Sequence, residues 1–359
     1  MSRNVTYSYD CEEGNAWNAL TDVAPFEVVS QFHCDKVADQ IADAALDALL
    51  KEDVNSRTGL EVVVSQHSVL ITGQVTSTTD PQRQRSMVED AATAVLHDAR
   101  YPVLPIRVEL RPQSEAIRQS ASGGVGDQAV CVGFATCETT ELVAENQLIA
   151  RSVVESIVRE SECGNAIGRD GKIVVWKGAG SRRASIRWHT VHSPQDAEKA
   201  IIEIARNANI KEVTVNVGAS FTEGSLEADT GVSGRKLAMD FYGTGVPIGG
   251  GALSGKDASK PDRTGNYAAR AAACDLARDC NGWAIVWLVY STGVDIPVTA
   301  RFLQGSCGPK MRVGSLVPEE FAISNMSEVF GLRGAVLFRT LAAKGHFGRG
   351  YPWETPSQE

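Results

Sequence analysis

Much that would assign this chain quickly is missing from it. Its eight cysteines, spread from Cys11 to Cys307, contain no C-x-x-C pair. That excludes a zinc ribbon or a dense disulfide framework and reads as reduced thiols. Basic residues are not in excess: 35 Lys and Arg stand against 44 Asp and Glu, for a net charge of −9. A general nucleic-acid binder is therefore not expected, and any phosphate ligand needs a local basic cluster. The first residues, MSRNVTYSYDCEEGNAWNAL, lack the basic and apolar regions of a secretory leader. The longest apolar run, Trp283 to Tyr290, is too short to cross a bilayer and reads as a buried strand. A cytoplasmic globular protein is expected. Low-complexity tracts and short repeats are absent too, and strands and helices alternate without the regularity of a doubly wound sheet. This favours an α+β class with several antiparallel sheets.

What is present concentrates in residues 249–263, GGGALSGKDASKPDR. Glycines let a backbone approach a ligand closely, lysine and arginine answer to phosphate or carboxylate, and aspartates among them suggest Mg²⁺. The chemistry is that of a polyphosphate site; an exposed polar loop of the same composition is the alternative. Gly250, Gly255 and Lys256 begin the phosphate-loop pattern G-x-x-x-x-G-K-[ST], but Asp257 stands where a hydroxyl must hold the metal. A P-loop phosphotransferase is disfavoured.

Along the chain, KVADQIADAALDALLKED (36–53) has apolar residues on one face and Asp39, Gln40, Asp43 and Asp47 on the other. It reads as an amphipathic helix capped by Asp35. LEVVVSQHSVLITGQV reads as two strands around a Ser65–Ser68 turn. A helix is expected over 81–99, a strand in PIRVELR, a mobile loop over 112–126 and a strand in VCVGFAT. Further on come a helix near 140–160, strands in KIVVWKG and SIRWHTV, a helix in PQDAEKAIIEIARNA and a strand in EVTVNVG. Expectations for the remainder are a strand in LAMDFYG, a helix in TGNYAARAAACDLA, a strand in WAIVWLVYS and one helix through SEVFGLRGAVLFRTLA.

Five separated stretches, in order, resemble the S-adenosylmethionine synthetases (methionine adenosyltransferases): FHCDKVADQIADAALDALL, GVGDQAVCVGFAT, DTGVSGRKLAMDFYG, GGGALSGKDASKPDRTGNYAAR and GHFGRGYPWE. The resemblance covers about Ser30 to Glu354. It implies an α+β fold of three related α/β subdomains with mixed or antiparallel sheets, and a homodimer, possibly a tetramer, with active sites at the interface. Boundaries are expected at 1–21 (an extension with no assigned role), 22–116, 117–224 and 225–359, in one interleaved catalytic unit. Methionine sulfur would attack C5′ of ATP and expel tripolyphosphate, which is then hydrolysed to phosphate and pyrophosphate. A thioether carries no proton, so the step needs positioning and charge stabilisation more than a strong base.

The resemblance further implies that His33, Asp170, Lys172, Phe221, Asp229, Arg235, Lys236, Ala252 and Lys256 contact ATP. Among these, His33, Lys172, Arg235 and Lys256, together with Asp127 beside the sulfur, would be catalytic. Gln74, Gln113, Asp229 and Lys260 would face L-methionine, Asp35 and Asp262 would hold Mg²⁺, and Glu61 would hold K⁺. Four departures stand out. Phe32-His33-Cys34 replaces Gly-His-Pro, Gln74 replaces a glutamate, and Ser220 replaces an arginine. The lid between Gln113 and Asp127 is short, so it should exclude water less well without abolishing the reaction. The rival reading is a catalytically impaired nucleotide-binding regulatory relative.

Overall fold

The computed structural model describes residues 5–11, 24–114, 124–164, 166–178, 180–306 and 311–356. In chain order the elements are β1 (Val5–Cys11), β2 (Phe26–Val29), α1 (Cys34–Glu52), β3 (Arg57–Val64), β4 (Val69–Thr76), α2 (Pro81–Asp98) and β5 (Ile106–Arg111). Next are β6 (Ala129–Thr136), α3 (Glu145–Cys163), β7 (Ile167–Lys177), β8 (Arg182–Thr190), α4 (Pro194–Asn207), β9 (Glu212–Val215) and β10 (Gly231–Val232). The last third holds α5 (Leu237–Asp240), α6 (Pro261–Cys280), β11 (Gly282–Tyr290), β12 (Thr299–Ser306), β13 (Met311–Leu316), α7 (Ile323–Val329) and α8 (Phe338–Lys344). No helix among the described residues is long and apolar enough to cross a membrane.

The strands form three sheets, ordered β1-β13-β12-β11-β6, β10-β3-β4-β5 and β2-β7-β8-β9. The second and third share a plan. An antiparallel hairpin (β3–β4, β7–β8) is followed by a helix and then a strand parallel to the hairpin's second arm (β5 on β4, β9 on β8). Each sheet buries one face under helices: α1 and α2 on the second, α3 and α4 on the third, α6 on the first. This is the α+β architecture of related units. The sheets are stitched across the sequence, since β2 pairs with β7, β6 with β11 and β10 with β3.

Several local expectations need correction. LAMDFYG is not a strand; Leu237–Asp240 makes one helical turn, because so short an apolar run carries no period of its own. The single C-terminal helix is two, broken where Gly331 and Gly334 take φ of 65° and 123°. The helix near 140–160 begins only at Glu145. β12 and β13 were not anticipated, nor was β1, which places part of the supposed extension antiparallel to β13. The loop over 112–126 falls mostly on residues 115–123, outside the described ones.

The amphipathic reading of α1 also fails. Asp39 and Asp43 are 1% and 0% exposed, because the polar face is covered by the last third of the chain and its charges are paired. Lys36 Nζ donates to Asp39 at 3.0 Å and to Asp240 at 2.6 Å. Arg263, itself fully buried, donates to Asp43 at 2.5 Å and lies over the Phe338 ring. Removing one partner of such a pair is costly, on the order of 3–5 kcal/mol, because the other stays buried. The GHFGRGYPWE motif is likewise structural. Tyr267 stacks on Trp353 with centroids 3.9 Å apart, and the Tyr267 hydroxyl lies 2.9 Å from His346 Nδ1. Glu354 accepts from Arg270 and from the Gly348 and Arg349 N–H groups.

Candidate active site

The start of α1 sets the first part of the site. His33, not Asp35, caps the helix: its Nδ1 accepts the Asp35 N–H at 3.2 Å. That acceptor role assigns the ring proton to Nε2, leaving an N–H donor free for a ligand. Burial holds His33 below the ordinary imidazole range, with Lys236 helping and Asp170 and Asp35 opposing, so the ring is neutral at pH 7. One residue on, burial together with Asp35, Asp229 and Asp170 pushes the Cys34 thiol up to about 12. It is a protonated thiol, not a thiolate ligand.

His33 opens onto a cavity of about 200 Å³ that is also lined by Asp170, Lys172, Phe221, Asp229 and Arg187. The β7–β8 hairpin positions two of these, since Lys172 and Arg187 face each other in register. Asp170 Oδ2 accepts the Ser225 N–H at 2.6 Å, while its buried Oδ1 has no donor among the described residues. Burial pushes its carboxyl above the usual range, against the pull of His33 and the Ser225 N–H. Lys172 lies 3.6 Å from Glu27. The Arg187 guanidinium sits 5.1 Å from the Phe221 ring centroid and donates to the Ala219 carbonyl at 2.5 Å. Asp229 accepts from the Thr230 N–H.

Beside this cavity Asp35 gathers the next cluster. Its Oδ1 accepts the Val232 N–H at 2.9 Å, its Oδ2 accepts Lys236 Nζ, and the Arg235 guanidinium lies 3.9 Å away. Burial alone would raise the Asp35 carboxyl, but Lys236, the Val232 N–H and His33 together hold it below its usual value. Glu61 accepts from the Ser233 hydroxyl at 2.6 Å.

The glycine loop forms a separate cluster. Lys256 Nζ donates to Asp262, and Lys260 Nζ donates to Asp257 at 3.1 Å. At Gly251 a methyl group would displace the Asp262 carboxylate from its place beside Lys256. Gly255 takes φ of 79° and passes so close to the Leu60 carbonyl that a side chain is excluded. Asp257 is buried and accepts the Thr58 N–H at 2.7 Å, tying the loop to β3. Helix α6 begins only at Pro261, so this is not a phosphate loop running straight into a helix at its lysine.

Gly59 on β3 bridges to Lys256 on one side and pairs with Gln74 on the other, which puts Gln74 one strand from the loop. Ala252 meets the 233–236 turn, where its methyl leaves Gly234 no room for a side chain. Gln113 is buried, with an Oε1 that finds no donor among the described residues. Asp127 is exposed and, among the described residues, accepts from the Gln128 N–H. It stands just before β6, whose Val130 carbonyl packs against Gly249.

The His33 cavity and the Asp35 cluster are thus continuous. The glycine loop approaches them where Ala252 touches the 233–236 turn, and Gly255 and Arg263 tie it to α1 through Asp43. Sequence reasoning missed Arg187. It lies on an exposed-looking strand, SIRWHTV, and no motif marks it. The signal was the absence of the arginine at Ser220, whose charge another residue had to supply.

One antiparallel and two mixed sheets, with side-chain clusters rich in lysine, arginine and aspartate, define a class of α+β proteins that handle anionic ligands. Comparison narrows the class. Residues 23–114 match the model for the S-adenosylmethionine synthetase N-terminal domain, and residues 223–355 match that for its C-terminal domain. The chain is 34% identical to the S-adenosylmethionine synthase of Salinibacter ruber, over 91% of this chain and 94% of that one. It is 31% identical to S-adenosylmethionine synthase 1 of Rhodospirillum rubrum, with the same coverage. A solved S-adenosylmethionine synthetase from Campylobacter jejuni superposes with a TM-score of 0.80 at 27% identity, covering 93% of this chain. The chain belongs to the S-adenosylmethionine synthetase family.

Proposed function

We propose that this chain is a methionine adenosyltransferase, making S-adenosylmethionine from ATP and L-methionine. The observation that carries the site assignment is the buried, undonated Asp170 Oδ1 in the cavity that also holds His33, Lys172 and Phe221. A buried acceptor without a donor is costly, and a ribose hydroxyl supplies one. Phe221 and Arg187 then flank adenine, and Lys172 and the His33 Nε2–H reach the phosphate chain. Arg235, Lys236 and Lys256 neutralise the charge that gathers on the leaving tripolyphosphate. The undonated Gln113 Oε1 suits an ammonium, as does Gln74, with Lys260 and Asp229 completing the methionine side. The Asp127 carboxylate favours the sulfonium as the sulfur–C5′ bond forms and the C5′–oxygen bond breaks.

Asp35 and Asp262 each hold a lysine ammonium where a divalent cation would sit, so both fit Mg²⁺ as hard oxygen ligands. Bound there, the metal neutralises phosphate oxygens. Glu61 and the Ser233 hydroxyl offer oxygens for K⁺. The expected segments, 22–116, 117–224 and 225–359, act as one interleaved unit, and two copies in a homodimer bring the glycine-loop cluster of one chain to the His33 cavity of the other. Mass spectrometry of products from ATP, methionine, Mg²⁺ and K⁺ tests the reading. S-adenosylmethionine with phosphate and pyrophosphate supports it; ADP, or no sulfonium product, overturns it.

A further inference from the structure

A cavity larger than the one at His33 lies outside the site just described. It measures about 350 Å³ and runs between α3, the end of β2, the α5 turn and the segment after α8. That volume falls within the range of small-molecule sites, about 300–1,000 Å³. One side is apolar: Val28, Val29, Val154, Val158, Met239 and Ala343.

Charge on the other side is unbalanced. Of the three carboxylates that line it, Asp240 is held by Lys36 at 2.6 Å, Glu155 by Arg349 at 2.6 Å and Glu162 faces Arg169 at 3.8 Å. Three lining cations, Arg151, Arg159 and Lys344, have no carboxylate within ion-pair distance among the described residues. Arg151 is the most demanding, being 6% exposed. Its η1 nitrogen donates to the Phe347 carbonyl at 2.6 Å, and its η2 nitrogen has no acceptor. Burial and the neighbouring Arg349 depress its basicity to about 10, more than the nearby Glu354 offsets. A buried guanidinium without an anion is normally avoided.

We propose that this cavity binds a small carboxylate with a hydrocarbon body, its anionic end among Arg151, Arg159 and Lys344 and its body against the valines. Guanidinium forks match the planar carboxylate. A phosphate dianion would waste the apolar wall, and an amino acid would bring its ammonium among three cations. The cavity is also the back of the catalytic segment, because the Lys36–Asp240 pair forms part of its lining and Lys36 follows Asp35 directly.

Calorimetric titration of the full chain with hexanoate, hexanamide, methionine and inorganic phosphate tests this, the ATP site being filled with a non-hydrolysable analogue. Hexanoate should bind at least tenfold more tightly than hexanamide, methionine or phosphate. Val158→Phe, which fills the cavity without touching its charges, should weaken hexanoate at least tenfold, and so should Arg151→Met. Lys344→Ala, at an exposed position, should weaken it severalfold and keeps the test open should Arg151→Met not fold. Equal binding of hexanoate and hexanamide, preference for phosphate, or hexanoate affinity unchanged by Val158→Phe would each overturn the proposal.

Discussion

Gln74 and Arg187 show how single residues individualise this member of the family. Gln74 lies opposite Gly59, which in turn bridges Lys256, so it borders the glycine loop, where the proposed function puts methionine. An amide accepts from an ammonium, but a carboxylate does so about twice as strongly. Gln74→Glu should therefore lower the KM for methionine by roughly tenfold, about 1.4 kcal/mol, with little change in the KM for ATP. Steady-state kinetics decide it, and an unchanged methionine KM removes Gln74 from the site. Arg187 is the converse case, a cation over Phe221 that stands next to Ser220 where the family pattern has an arginine. A desolvated cation–π contact is worth about 1–2 kcal/mol. Arg187→Leu should raise the KM for ATP roughly tenfold and leave that for methionine within twofold. An effect on kcat alone would mean Arg187 does not hold the nucleotide.

At the scale of elements, α1 fastens the C-terminal part of the chain. Asp47 accepts the Phe338 and Arg339 N–H groups, each at 2.9 Å, and so caps α8 from another helix. Burial pushes its carboxyl up to about 6 despite those two donors. The folded value thus exceeds the unfolded one, near 4. Its contribution is fully present below pH 4 and is lost as pH rises through 6. Relative to Asp47→Asn, the wild type should lose on the order of 2 kcal/mol between pH 4.5 and 7.5. Urea midpoints of both proteins across that range measure it, and a pH-independent difference contradicts the shift.

The same helix shows why part of the fold was legible and part was not. Its position followed from spacing, but its cap did not, since His33 and not the expected Asp35 accepts the first free N–H. Its burial did not, because Asp39 and Asp43 look like solvent residues until Lys36 and Arg263 reach them. β3, β4, α2, β5 and β11 were legible because alternation or a Pro start marks them. The turn at Leu237 and the split at Gly331 were decided by tertiary packing, which no short window contains. For the site, motif residues such as His33 and Asp35 could be named from sequence, whereas Arg187 required the hairpin register that sets it opposite Lys172.

For the whole molecule, the proposed sharing of each site between two copies has a kinetic signature. If two copies combine their halves, His33→Ala and Lys256→Ala are each inactive as homodimers, yet a hybrid dimer contains one site free of both changes. Refolding an equal mixture should recover roughly a quarter of wild-type activity, since half of the dimers are hybrids with one intact site of two. Recovery no greater than the sum of the separate variants would place both residues in one subunit's site.

The stitching of the sheets also governs how the chain can be made. β6 emerges from the ribosome about 150 residues before β11, its partner, and β1 finds β13 only when residues from both ends of the described fold are available. The first sheet cannot be closed early, so the nascent chain carries an apolar strand such as VCVGFAT without its partner while about 150 further residues are added. Synthesis is thus the stage at which a chaperone would shield most of this sheet's apolar surface.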